Sequence, residues 1–133
     1  MPLSQRVLHL SLEHQTAMKL ARGVRDLVPE DESALPAVAD HIRQIFATDM
    51  LNHFADEERY VYPELLAIGR EDLVERLRVE HNRLGELAAA LAEPTAEGLE
   101  AFSDLLRAHV EFEENIVFEA LEQAQKLKAN AAN

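Results

Sequence analysis

HFADEERYVYPEL at residues 53–65 and HVEFEENIVFEAL at residues 109–121 are two copies of one pattern. Shifted by 56 positions, His53, Glu57, Glu58, Val61 and Leu65 fall on His109, Glu113, Glu114, Val117 and Leu121. Residues four apart on an α-helix lie within about 40° of each other, so each copy sets an imidazole and a carboxylate on one face. That face is otherwise apolar or aromatic: Phe46, Met50, His53, Glu57 and Tyr60 in one copy, Phe102, Leu105, Leu106, His109, Glu113 and Ile116 in the other. A second repeat, of 67 positions, carries Glu13, His14, Leu20 and Ala21 onto Glu80, His81, Leu87 and Ala88.

Around these repeats the chain reads as all-α. Its 133 residues contain only 4 Gly and 5 Pro, and no alternating run of strand length occurs. A first helix is predicted from Ser4 to Leu27, stopping before Pro29. The polar stretch Glu30, Asp31, Glu32, Ser33 then leads to a second helix, with Pro36 in its opening turn, a kink near Pro63 and Gly69 as C-cap. A third starts at Glu71 and Asp72 and ends near Glu93. The fourth starts at Pro94 and Thr95 and runs to about Lys126, before a fraying Ala/Asn tail. Short connections make consecutive helices antiparallel neighbours. The expected architecture is one domain, 1–133, an up-down-up-down antiparallel four-helix bundle with internal two-fold pseudo-symmetry, its hairpins covering about 4–68 and 70–127.

An apolar fraction of 47% fills one core at this length. The absence of Cys rules out disulfides, thiolate-held clusters and a cysteine nucleophile. A net charge of -12 argues against nucleic acid as a partner. No apolar run is long enough to cross a membrane, and Met1 to Leu10 lacks the charged start and apolar run of a leader, so a soluble cytoplasmic protein is expected.

The first helix adds the stripe Val7, Leu10, His14, Met18, Ala21, and the third adds Val74, Leu77, His81, Leu84, Ala88. Each stripe is interrupted near its middle, by His14, His53 with Glu57, His81, and His109 with Glu113. Buried without partners, such groups cost several kcal/mol each. A pair of cations satisfies them: two shared carboxylates and two imidazoles give each ion four protein ligands, and a shared oxygen makes five, leaving one position open. A nitrogen and oxygen set without thiolate suits iron first, then manganese or zinc. Other polar residues receive plainer readings. His9 and His41 lie off these faces, as solvated or packing residues. Glu58, Glu114, Glu13 and Glu80 are read as surface groups, with hydrogen bonding to a ligand imidazole as the competing role. Tyr60 is read as core with its hydroxyl satisfied, and Met18 as an apolar lid. Gly85 either packs helices closely or leaves room beside the ions.

With these residues the chain resembles the hemerythrin-like (HHE cation-binding) family of four-helix, non-haem di-iron proteins. The family pattern is a His on the first helix, His-x-x-x-Glu on the second, a His on the third, and a His with a carboxylate on the fourth. It falls on His14, His53 and Glu57, His81, and His109 and Glu113, within a resemblance running from Leu8 to Leu121. It implies two iron ions, ferrous or ferric, oxo- or hydroxo-bridged, with His14 and His53 on one and His81 and His109 on the other. Oxygen carriers of the family have His-x-x-x-His on the third helix, where this chain has Gly85 four after His81 and Leu77 four before it, and an Asp at spacing five on the fourth helix, where it has Glu113 at spacing four. The four-His, two-Glu set is more similar to di-iron proteins associated with repair of iron–sulfur centres, which usually carry an additional Cys-containing domain. The resemblance implies binding of O2, NO or a peroxide at an open iron position. Its alternatives are an iron donor serving an apo-cluster protein partner, with or without a redox partner, and a di-iron peroxidase or NO reductase.

Overall fold

The computed structural model describes residues 2–27 and 32–132, so Pro29, Glu30 and Asp31 lie outside the described residues. Leu3–Leu27 forms the first helix. After a single 3₁₀ turn at Glu32–Ala34, the second helix covers 35–67, with Pro36 in its first turn where a missing N–H costs nothing. It ends in a Schellman motif: Gly69, at φ +75°, donates to the Leu66 carbonyl and Arg70 to the Leu65 carbonyl. The third helix is Glu71–Ala90. It stops short of Glu93 because Leu91, Ala92 and Glu93 tighten into successive three-residue turns before Pro94. Thr95 caps the fourth helix, its hydroxyl accepting from the Gly98 N–H at 2.9 Å. That helix covers 96–132, beyond Lys126, because the Ala-rich tail is a good helix former.

Two of these helices are not regular. The Tyr62 N–H donates to the Glu57 carbonyl and the Phe118 N–H to the Glu113 carbonyl, five residues back, so one extra residue is accommodated directly after each buried carboxylate. The disturbance expected near Pro63 takes this form. Proline is not its shared cause, since Glu119 stands at the matching place in the fourth helix. A third such turn, Phe46–Met50, precedes His53.

Among the described residues all regular structure is helical, in an all-α four-helix bundle. No described helix is long and apolar enough to cross a membrane. Two apolar clusters fill the interior. Phe46, Phe54, Leu84, Phe102 and Leu106 belong to one, and Leu10, Val61, Leu65, Leu77 and Val117 to the other. Each fully buried side chain of this size contributes about 1.5–3 kcal/mol. The polar interruptions of the four stripes fall where these clusters give way to each other. The buried Ser103 hydroxyl, donating to the Ala21 carbonyl at 2.8 Å, ties the fourth helix to the first.

Candidate metal centre

All six residues singled out from the repeats are buried, and Glu57 and Glu113 are 0% exposed. They form two overlapping groups, His14, His53, Glu57, Glu113 and Glu57, His81, His109, Glu113, within each of which candidate ligand atoms lie no more than 4.8 Å apart. Both carboxylates belong to both groups. His14 is thereby grouped with His53 and His81 with His109. The imidazole Nε2 atoms turn inward: His53 Nε2 lies 2.6 Å from Glu57 Oε1, His14 Nε2 3.5 Å from Glu113 Oε2, and His81 Nε2 3.7 Å from Glu57 Oε2. His109 Nε2 is packed against Glu113 Oε1.

Closeness does not satisfy these atoms. Both oxygens of Glu57, both oxygens of Glu113, and Nε2 of His81 and of His109 are buried without a directed hydrogen bond. These six atoms belong to four side chains, and leaving such groups unsatisfied in one place costs several kcal/mol for each group unless a charge of opposite sign sits between them. A set of imidazole nitrogens and carboxylate oxygens, all lone-pair donors aimed at common points, fits a di-iron site.

The clustered groups shift one another's affinity for protons. Burial pushes Glu57 well above the usual carboxylate range, and the neighbouring Glu113 adds to the shift. Burial also opposes ionisation of Glu113, but His109 and His14 outweigh it and hold Glu113 low. His109 shows the reciprocal balance: burial lowers its pKa, but Glu113 and Glu80 carry it up to about 9. Burial, reinforced by the charge on His109, takes His81 down to about 3. Neighbouring groups thus shift in opposite directions, Glu57 up and Glu113 down, His109 up and His81 down, because four ionisable side chains share one site out of water.

The outward ring nitrogens are anchored by residues that the sequence reading put on the surface. His53 Nδ1 donates to Glu13 at 3.0 Å, His14 Nδ1 to Glu114 at 2.7 Å, and His109 Nδ1 to Glu80 at 2.6 Å. For Glu13, Glu80 and Glu114 the competing reading was the correct one; Glu58 is exposed as expected. Such carboxylates fix the tautomer and raise the basicity of the inward nitrogen. The signal was present: Glu13-His14 and Glu80-His81 repeat the same dipeptide. Each glutamate, however, serves an imidazole of the adjacent helix, not its own neighbour in sequence.

The fourth imidazole differs. His81 Nδ1 lies 3.1 Å from the hydroxyl of Tyr62, a residue the sequence reading missed. Tyr60, expected on the inner stripe, is half-buried with the Arg6 guanidinium 3.4 Å from its ring centroid. The extra residue accommodated after Glu57 rotates Tyr60 outward and brings Val61 and Tyr62 in.

A cavity of about 160 Å³ leads to the cluster between the first and second helices. Exposed Thr16, Asp49 and Asn52 form its mouth, and His14, His53 and His109 lie at its floor with Met50, Phe54 and Leu106. Gly85 does not border it. A Cβ there would meet only Phe46 Cζ, at 4.0 Å, and the residue lines a separate surface groove. Met18 packs against the apolar core, and His9 and His41 are exposed, as expected.

Residues 7–121 match the family described as hemerythrin HHE cation binding domain, a span that includes both repeats and all six clustered residues. No curated protein and no solved structure gives a significant match. The fold, the buried His and Glu cluster and this match lead to one statement: the chain belongs to the hemerythrin HHE cation-binding family.

Proposed function

We propose that His14, His53, Glu57, His81, His109 and Glu113 hold two iron ions, and that an open position on them takes O2, NO or a peroxide. The observation that carries this reading is the set of six buried oxygen and nitrogen atoms without hydrogen-bond partners at the meeting point of four helices. Bound iron would supply a redox-active Lewis acid there. The chain's own residues do the rest. Glu13, Glu114, Glu80 and Tyr62 hold the Nδ1 protons outward, leaving each Nε2 lone pair for a metal. Ile45, Met50, Phe54 and Val110 make the cavity wall largely apolar, which disfavours bulk water. About 160 Å³ admits a diatomic molecule or a peroxide with a few waters and leaves little room for an organic substrate.

The test is metal content per chain with the near-ultraviolet and visible spectrum, before and after adding NO, azide or peroxide, on protein produced with added iron. Two irons per chain, with charge-transfer absorption that responds to these ligands, are expected. Two zinc or manganese ions would keep the site and remove the oxygen chemistry. A well-folded chain that takes up no metal would overturn the reading.

A further inference from the structure

The two halves of the cluster obey the internal repeat closely enough that its failures stand out. Glu13 anchoring His53 is matched by Glu80 anchoring His109. Glu114 anchoring His14 should be matched by Glu58 anchoring His81, and it is not. Glu58 is exposed, and the Tyr62 hydroxyl occupies His81 Nδ1. The counterpart of Tyr62 in the other half is Phe118, which stacks on His14 at a centroid distance of 5.6 Å and offers no hydroxyl, leaving Nδ1 to Glu114.

A second difference has the same sign. Arg76 stands where the repeat places His9. The Arg76 guanidinium pairs with Glu80 at 2.9 Å, whereas His9 lies 3.9 Å from Glu13. Among the described residues, one pair of imidazoles, His14 and His53, is therefore backed by two carboxylates that no Arg or Lys pairs with, Ser11 donating to the Glu114 oxygen that also holds His14. The other pair, His81 and His109, is backed by a neutral phenol and by a carboxylate already paired with a guanidinium. Glu80 is the most buried of the three, at 14% side-chain exposure against 31% for Glu13 and 35% for Glu114, so solvent screens the first pair more. That narrows the contrast at Glu80, since the exposed Arg76 offsets its charge only in part, and leaves the neutral Tyr62 hydroxyl on His81 as the main difference.

We infer that Tyr62 makes the two metal positions unequal: the ion held by His81 and His109 is bound more weakly and leaves first. Carboxylate anchoring makes an imidazole a better donor, and a lost anchor typically costs 10–100-fold in affinity. Tyr62 is a positioning residue in this account. The inference rests on the two-metal reading above.

The experiment loads the full chain with ferrous iron under argon, then adds excess of an aromatic diimine chelator and follows the coloured complex. Two phases of one ion per chain are expected, separated by roughly tenfold in rate. Tyr62→Phe keeps the ring and frees His81 Nδ1 for Glu58, as Phe118 frees His14 for Glu114. It should slow the fast phase toward the slow one, and Glu58→Gln on that background should restore the fast rate. Phe118→Tyr should quicken the slow phase alone. A purely structural role for Tyr62 would move the melting temperature without selecting a phase. Release of both ions in a single phase, or a fast phase unchanged or quickened by Tyr62→Phe, would overturn the inference while leaving two ions per chain. A chain that loads fewer than two ions would instead refute the reading beneath it.

Discussion

Glu80 on the third helix accepts from His109 Nδ1 on the fourth at 2.6 Å, with Arg76 on its other oxygen at 2.9 Å. This contact ties the imidazole of one repeat to the carboxylate of another. Glu80→Gln keeps the shape and removes the charge. Metal affinity should fall about 10–100-fold while helical circular dichroism is unchanged. Competition against a chelator of known affinity measures it, and an unaltered affinity would count against the anchoring role.

His109→Ala should remove more than half of the bound metal, because His109 belongs to one of the two groups and faces a carboxylate shared by both. His41→Ala should remove none, since His41 is exposed on the outside of the second helix. Metal analysis of the two purified variants decides. Equal losses would mean that the repeat has been misread.

Metal and protons compete for the same atoms. His109 is carried up to about 9 by Glu113 and Glu80 against burial, so at neutral pH the metal-free chain holds a proton on it that an ion must displace. Affinity should rise with pH up to about 9, roughly tenfold per unit for each proton displaced. In the metal-free chain the sign is opposite. A His raised from 6.5 to about 9 contributes stability that is full below 6.5 and lost as pH climbs through about 9. Kd values from pH 6 to 9, with proton release read by an indicator dye, test the first part, and denaturant unfolding of the metal-free chain over the same range tests the second. A flat profile would exclude proton displacement.

Removing metal should lower the melting temperature clearly. At a free metal concentration 100 times Kd, binding stabilises by about 2.7 kcal/mol. Withdrawal also leaves Glu57, Glu113, His81 and His109 with unpartnered buried atoms. Thermal unfolding with and without a chelator is the check, and coincident curves would argue against a buried site.

Gly85→Ala should stabilise the chain by about 1 kcal/mol and leave metal content and NO spectra unaltered. The added methyl meets only Phe46 Cζ at 4.0 Å, an ordinary contact, and does not face the cavity. Denaturant unfolding of the variant measures it.

The sequence by itself determined the helices, most of their caps and the six clustered residues, though not every inward position, since Tyr60 is only half-buried and Ile116 is exposed. Helical spacing places His53 with Glu57 and His109 with Glu113 whatever the partners do, and the duplication shows that the polar interruptions are not accidents of one helix. What lies between helices was decided only by tertiary structure. Glu13, Glu80 and Glu114 point about 100° from their neighbours and read as solvated until an adjacent helix brings an imidazole to them. Tyr60 and Tyr62 exchange places because the helix admits one extra residue after Glu57, which a regular period of 3.6 cannot anticipate. The Tyr62 hydroxyl on His81 follows from the same cause, whereas the guanidinium of Arg76 on Glu80 is an i,i+4 pair that the spacing along the third helix already contains. Periodicity along one helix sets which side chains face inward as far as the helix stays regular, but their charge partners depend on how four helices are set against one another.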